Sequence, residues 1–242
     1  MNRTVAWLTA RSLLGMRRSL LLFVLPVLLL LLAGLVRWAA GPDPVLTTHL
    51  LTGFALGTLV PLLCLIAGTG AIGPEIDDGS IIYLLAKPVS RFTIVITKLA
   101  VALGIVLVFS ALPTLLAGLV LAGWTRQVSV GYALGAAVAG VTYCALFLML
   151  AVLSRHAVVI GLLYAVLWES LIGRFVPGAQ DLSVQQWALA VVNAVVAPAS
   201  GGGGIPSVVG APAGAVALAV VAIGATGYAG WRLRSLRLAG EQ

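Results

Sequence analysis

The stretch LLLFVLPVLLLLLAGLVRWAA, from Leu20 to Ala40, carries a single charged side chain, Arg37, close to its end. A helix needs about 20 apolar residues, at about 1.5 Å each, to cross some 30 Å of hydrocarbon, and this run supplies them. Arg3, Arg11, Arg17 and Arg18 precede it and no Ala-x-Ala-like exit follows it. The run is too long for the apolar region of a signal peptide, so it reads as a retained transmembrane span.

The rest of the chain agrees. Its 242 residues are 61% hydrophobic and only 9% charged. A soluble domain, at about 45–50% apolar and about 25% charged, has no core large enough to hide that excess. Lipid is the implied solvent. Five further runs of spanning length follow: Leu50 to Ile72, Ile94 to Gly123, Gly131 to Leu153, Ala157 to Gly173, which is short, and Pro212 to Trp231. The expected fold is all-α, one polytopic membrane domain of six transmembrane helices over residues 1–242.

Charge gives the direction. Lys and Arg are retained on the cytoplasmic side of short loops. With alternating loops, eleven of the 14 fall on one side and only Arg37, Arg126 and Arg174 on the other, which places both termini in the cytoplasm. The net charge of +7 is therefore topological. Diluted among apolar runs, these residues form no basic face for nucleic acid. Before the first span, Arg3, Arg11 and Arg18 share one side of a helical wheel and Val5, Leu8, Leu13 and Met16 the other. Residues 1–19 thus read as an amphipathic helix on the inner headgroup layer.

The connection from 174 to 211 is long and contains its own helix signal. Ser183 followed by Gln186 is a capping-box pattern ahead of Trp187, Ala188, Leu189, Val191 and Val192, and Pro198 stops the run. The helix, about thirteen residues, is too short to span, so it is expected to be re-entrant or to lie at the outer surface. Gly201 to Gly204 supply a flexible return into the last span, and residues 232–242 form a cytoplasmic tail.

Between the second and third spans lies a loop of different chemistry, GPEIDDGSIIYLLAKPVSR, from Gly73 to Arg91. Pro74 suits a first helical position, and Glu75, Asp77 and Asp78 place negative charge at the positive end of a helix dipole. Pro88 ends the helix after Lys87. Ile81, Ile82, Leu84 and Leu85 lie between the acidic start and the basic end marked by Lys87 and Arg91. A short helix of this kind docks into a partner's groove, with apolar anchors for burial and charged ends for register.

The spacing Glu75, Gly79, Ser80, Leu84, Leu85, Pro88, Val89, Ser90, Arg91, followed by Lys98, resembles the signature loop of type-2 ATP-binding-cassette exporter permeases. The resemblance implies a permease that pairs with a second copy of itself or a related permease and with two separate ATPase subunits. Each ATPase would grip the loop as a coupling helix through Glu75, Asp77, Asp78, Ile81, Leu84, Leu85, Lys87 and Arg91. It further implies the inner (cytoplasmic) membrane. ATP and magnesium would sit on the ATPase: no Gly-x-x-x-x-Gly-Lys-Ser/Thr run occurs here, so this chain is expected to bind no cofactor and to be no enzyme itself. The very short connection Ser154-Arg155-His156 departs from a second docking loop.

Glu169 is the acidic residue set well inside an apolar run, five residues before Arg174. A charge there costs at least a few kcal/mol, so it must pair, face a cavity or be protonated. A structural pair is the default reading and a place in the translocation path or outer gate the alternative. His49 and His156 lie a membrane thickness apart, share no metal and read as interfacial loop residues. Cys64 and Cys144 lack His or Cys neighbours in sequence and read as small core or lipid-facing residues. Gly131, Gly135, Ala139, Gly140, Gly224 and Gly227 offer sites for close helix approach. A self-sufficient secondary transporter would need ion-coupling groups or paired repeats, and only Glu169 is at hand. An intramembrane enzyme would need a nucleophile with His, or paired carboxylates, at one depth, and the sequence shows none.

Overall fold

A computed structural model describes residues 7, 9, 15, 19–77, 91–122, 126–172, 178, 180–197 and 207–235. Apart from Trp7, Thr9, Gly15 and Ser19, which are helical, the expected interfacial helix lies outside these residues, as do the loop from Asp78 to Ser90, the glycine run 201–204 and the tail beyond 235. All regular structure among the described residues is helical. In chain order, α1 is Ser19–Ala40. α2 joins Pro44–His49, Leu50–Leu59 and Val60–Gly70, and a short helix, Gly73–Asp77, follows it. α3 joins Arg91–Val106, Leu107–Ala111 and Leu112–Ala122, and α4 is Arg126–Leu153. α5 joins Ala157–Leu163 and Tyr164–Ile172, α6 is Val184–Val196 and α7 is Ala211–Ser235.

Among the described residues, five helices are long and apolar enough to cross a membrane: Leu20–Ala40, Pro44–Ile76, Phe92–Ala122, Gln127–Leu153 and Ala211–Leu233. They make the chain a multi-pass membrane protein. The fifth expected span, α5, has seven α-helical residues followed by nine wider ones. At helical rise that is about 24 Å, short of the hydrocarbon thickness. α2 begins six residues before the expected Leu50 because Asp43 caps it: its Oδ1 accepts the N–H of Val45 at 2.7 Å and of Leu46 at 3.3 Å, and Pro44 takes the first position. His49, read from sequence as a loop residue, therefore ends a helical turn.

α4 is the central post, packed by α2, α3, α6 and α7. Tyr132, Tyr143 and Phe147 on it are fully buried. Two glycines set the approach of α6. A Cβ at Gly135 would lie 2.4 Å from a Val192 methyl and one at Gly131 2.8 Å from a Val196 methyl, so α6 reaches α4 only because both positions lack a side chain. Gly224 and Gly227 have nothing within 4 Å and make no such approach. Leu20, Phe23, Val24, Val27 and Leu31 of α1 and Val216, Val220 and Ile223 of α7 are exposed, the apolar faces that meet acyl chains. Cys64 and Cys144 are buried free thiols.

Three stretches, Leu50–Leu59, Leu107–Ala111 and Tyr164–Ile172, are π-helices with i→i+5 hydrogen bonds. The first two run directly into a proline, at Pro61 and Pro113. A proline ring clashes with the carbonyl four residues back and offers it no N–H, and a wider turn relieves both problems.

Candidate functional site

Among the described residues, two polar assemblies interrupt this apolar bundle. The first is built at the end of α2. The backbone leaves its last carbonyls without helical partners there, and the chain turns at Ala71 into Gly73–Asp77. Lys98, about two turns into α3, fills the corner. Its Nζ donates to the Ala71 carbonyl oxygen at 2.6 Å and to Glu75 Oε1 at 2.7 Å. Lys98 is fully buried, whereas the Glu75 side chain keeps 29% of its surface exposed. The ammonium thus neutralises the negative end of α2 while pairing with the acidic first turn of the next helix. Of the expected docking residues, Glu75 is held within the chain by this pair. Asp77 closes the short helix and Arg91 opens α3, but their side chains, like the whole of Asp78, Ile81, Leu84, Leu85 and Lys87, lie outside the described residues.

The second assembly surrounds Glu169 in the π-helical part of α5. The side chain is buried, and its carboxylate sits at the amino end of α6. Oε1 accepts from Tyr164 Oη at 3.1 Å and from the Val184 N–H at 3.0 Å. Oε2 accepts from Ser183 Oγ at 2.5 Å and from the Gln185 N–H at 3.3 Å. Four donors occupy the four lone-pair positions that a carboxylate offers. α6 has no acidic residue in its own first turn, so the anion that complements its dipole comes from another helix. Arg174, the partner nearest in sequence, lies outside the described residues.

The network continues into α2. Gln185 Nε2 donates to the Thr52 carbonyl oxygen at 2.8 Å, and the Thr52 hydroxyl and Tyr132 Oη are 2.7 Å apart. Trp187 Nε1 donates to the Asp181 carbonyl at 2.7 Å, fastening the turn before α6. Sequence reasoning placed Ser183 at its cap, and Ser183 Oγ does accept the Gln186 N–H at 3.4 Å. It did not find the pairing of Lys98 with Glu75 or the roles of Tyr164, Thr52 and Gln185. One signal was available: a lysine inside an apolar run, like an acid, requires a partner.

A family profile described as ABC-2 family transporter protein matches residues 49–179, more than half of the chain. The matched region runs from the end of the first turns of α2 past α5, so it contains the Lys98–Glu75 pair and Glu169 and stops just short of α6. Comparison with curated proteins gave no match. Members of this family are the membrane permeases of ATP-binding-cassette transporters and work with ATPase subunits. On that match, and on the bundle of membrane-length helices described above, the chain belongs to the ABC-2 transporter family.

Proposed function

We propose that this chain is the permease of an ATP-driven exporter, coupled to two separate ATPase subunits through residues 73–91 and working beside a second permease copy or a related one. Nucleotide and magnesium belong to the ATPase chains, and this chain performs no hydrolysis. α5 completes a set of six spans, both termini lie in the cytoplasm of the inner membrane, and Glu169 with α6 forms an outer gate. The observation that supports this reading is the Lys98–Glu75 pair. It ties the first turn of the loop to the end of α2 and to α3, so a push on the loop reaches two spans at once. Because every lone pair of Glu169 is occupied, the residue suits a gate fastening better than a substrate contact.

The test is co-purification with the ATPase, followed by hydrolysis and transport in reconstituted vesicles. Arg91→Glu is expected to lower substrate-stimulated hydrolysis and transport at least tenfold while the chain still inserts. Full stimulation and transport in that variant would rule out docking through this loop. Topology is checked separately. With Cys64 and Cys144 buried, an impermeant maleimide should reach Ser80→Cys only from the cytoplasmic side and Gly202→Cys only from the opposite side. Reversed accessibility would overturn the orientation.

A further inference from the structure

α6 meets the π-helical segments of both α2 and α5 through one residue. The Gln185 backbone N–H goes to Glu169 in Tyr164–Ile172, and its side-chain Nε2 goes to Thr52 in Leu50–Leu59. The Gln185 side chain is buried at 4% exposure. It reaches Thr52 because position 57 is glycine: a Cβ there would lie 3.0 Å from Gln185 Nε2 and 3.3 Å from the Thr52 carbonyl oxygen.

A π-helix of ten residues is unusual, since such turns are rare and occur mostly singly. Proline alone does not explain it. Pro26 sits inside α1, which stays α-helical throughout. What Leu50–Leu59 has in addition is side-chain donors on its carbonyls: Thr58 Oγ1 to Gly53 at 3.3 Å, five residues back, and Gln185 to Thr52. The first is local and travels with the helix. The second comes from outside and is lost whenever α6 moves.

We infer that Gln185 is a positioning residue that holds Leu50–Leu59 in its wide register, so that withdrawal of α6 lets this segment rewind toward α-helix and turns the inner half of α2 against α4. Each residue gained or lost in the winding rotates everything beyond it by about 100°. The inner half of α2 ends at Ala71, where Lys98 and Glu75 are fastened, so movement of α6 is mechanically joined to the loop at the far end of the span. Its use in transport rests on the function proposed above, whereas the register itself does not.

The chain contains two cysteines, both buried, and one lies on the segment that would turn. Cys64 follows the π-helix, and its thiol points to the Gly140 carbonyl of α4 at 3.6 Å. The experiment uses the full chain in lipid vesicles without nucleotide and measures modification of Cys64 by methyl methanethiosulfonate in a Cys144→Ser background. Gln185→Leu, which cannot donate to Thr52, is expected to accelerate modification at least tenfold. Gly57→Ala, which wedges the glutamine away, should do the same. A control thiol, Ala229→Cys in a Cys64→Ser, Cys144→Ser background, is buried on α7 away from α2 and should change less than twofold. Unchanged Cys64 reactivity in both variants overturns the inference. So does equal acceleration at Cys64 and at position 229, which is what general loosening of the bundle gives. Neither readout needs an ATPase or a substrate, so a failed Arg91→Glu result bears on the proposed function alone.

Discussion

Glu75→Lys is expected to abolish transport and to lower the unfolding temperature of the permease by several degrees. The substitution sets two ammonium groups where an ion pair closes at 2.7 Å, and Lys98, fully buried, has no water to turn to. Breaking a buried pair by removing one partner costs about 3–5 kcal/mol. The partial exposure of Glu75 lets its replacement swing outward, which puts the loss near about 3 kcal/mol. Scanning fluorimetry in detergent gives the stability, and vesicle uptake gives transport. The exchanged pair, Glu75→Lys with Lys98→Glu, is expected to recover only part of the stability. A glutamate at position 98 faces Glu75→Lys correctly but presents an acceptor to the Ala71 carbonyl, which is also an acceptor. A single variant with wild-type unfolding would show that the pair carries no structural weight. An exchanged pair that is stable yet inactive would show that position 75 also contacts the ATPase.

The second large effect is expected at Glu169. Glu169→Leu leaves Tyr164 Oη, Ser183 Oγ and the N–H groups of Val184 and Gln185 facing an apolar side chain. Each buried donor without an acceptor costs about 1–3 kcal/mol, and an anion at a helix amino end contributes up to about 2 kcal/mol in a partly buried setting. These terms do not add, but α6 is expected to leave its place, with unfolding shifted by at least about 4 kcal/mol. Glu169→Gln keeps one accepting oxygen and should cost roughly half as much. Equal losses for the two variants would mean that the apolar fit of the side chain, and not its carboxylate, holds α6.

Five of the six expected spans were legible because nothing except lipid explains runs such as 20–40. α6 was legible because Ser183 and Gln186 are three residues apart and their contact is local. The glycines at 131 and 135 could be marked as places of close approach, though only the fold says that Val196 and Val192 fill them. What stayed hidden depends on contacts between residues distant in sequence. Lys98 and Glu75 are 23 residues apart, and Gln185 and Thr52 are 133 apart. The π-helices were hidden for the same reason. Pro61 and Pro113 announce a disturbance, but Pro26 looks alike in sequence and produces no such segment; for Leu50–Leu59 the donor to the Thr52 carbonyl arrives from α6. The start of α2 was readable and overlooked: Asp43 followed by Pro44 is a helix-start pair, and polar Thr47, Thr48 and His49 drew the boundary too late.

The capping of α6 by Glu169 also has a consequence for how the protein is made. The ribosome delivers Glu169 after Tyr164 but before the other three of its four donors, which follow 14 to 16 positions later. At about 5 to 20 residues per second, the carboxylate waits about one to three seconds for its donors. Throughout that interval a bare charge in hydrocarbon would be opposed by several kcal/mol. The second half of α5 therefore enters the bilayer together with α6, and the docking of Ser183, Val184 and Gln185 completes the hydrogen bonding of the carboxylate. Biogenesis of this permease has a built-in checkpoint: its fifth helix is finished only when a later piece of the chain has arrived.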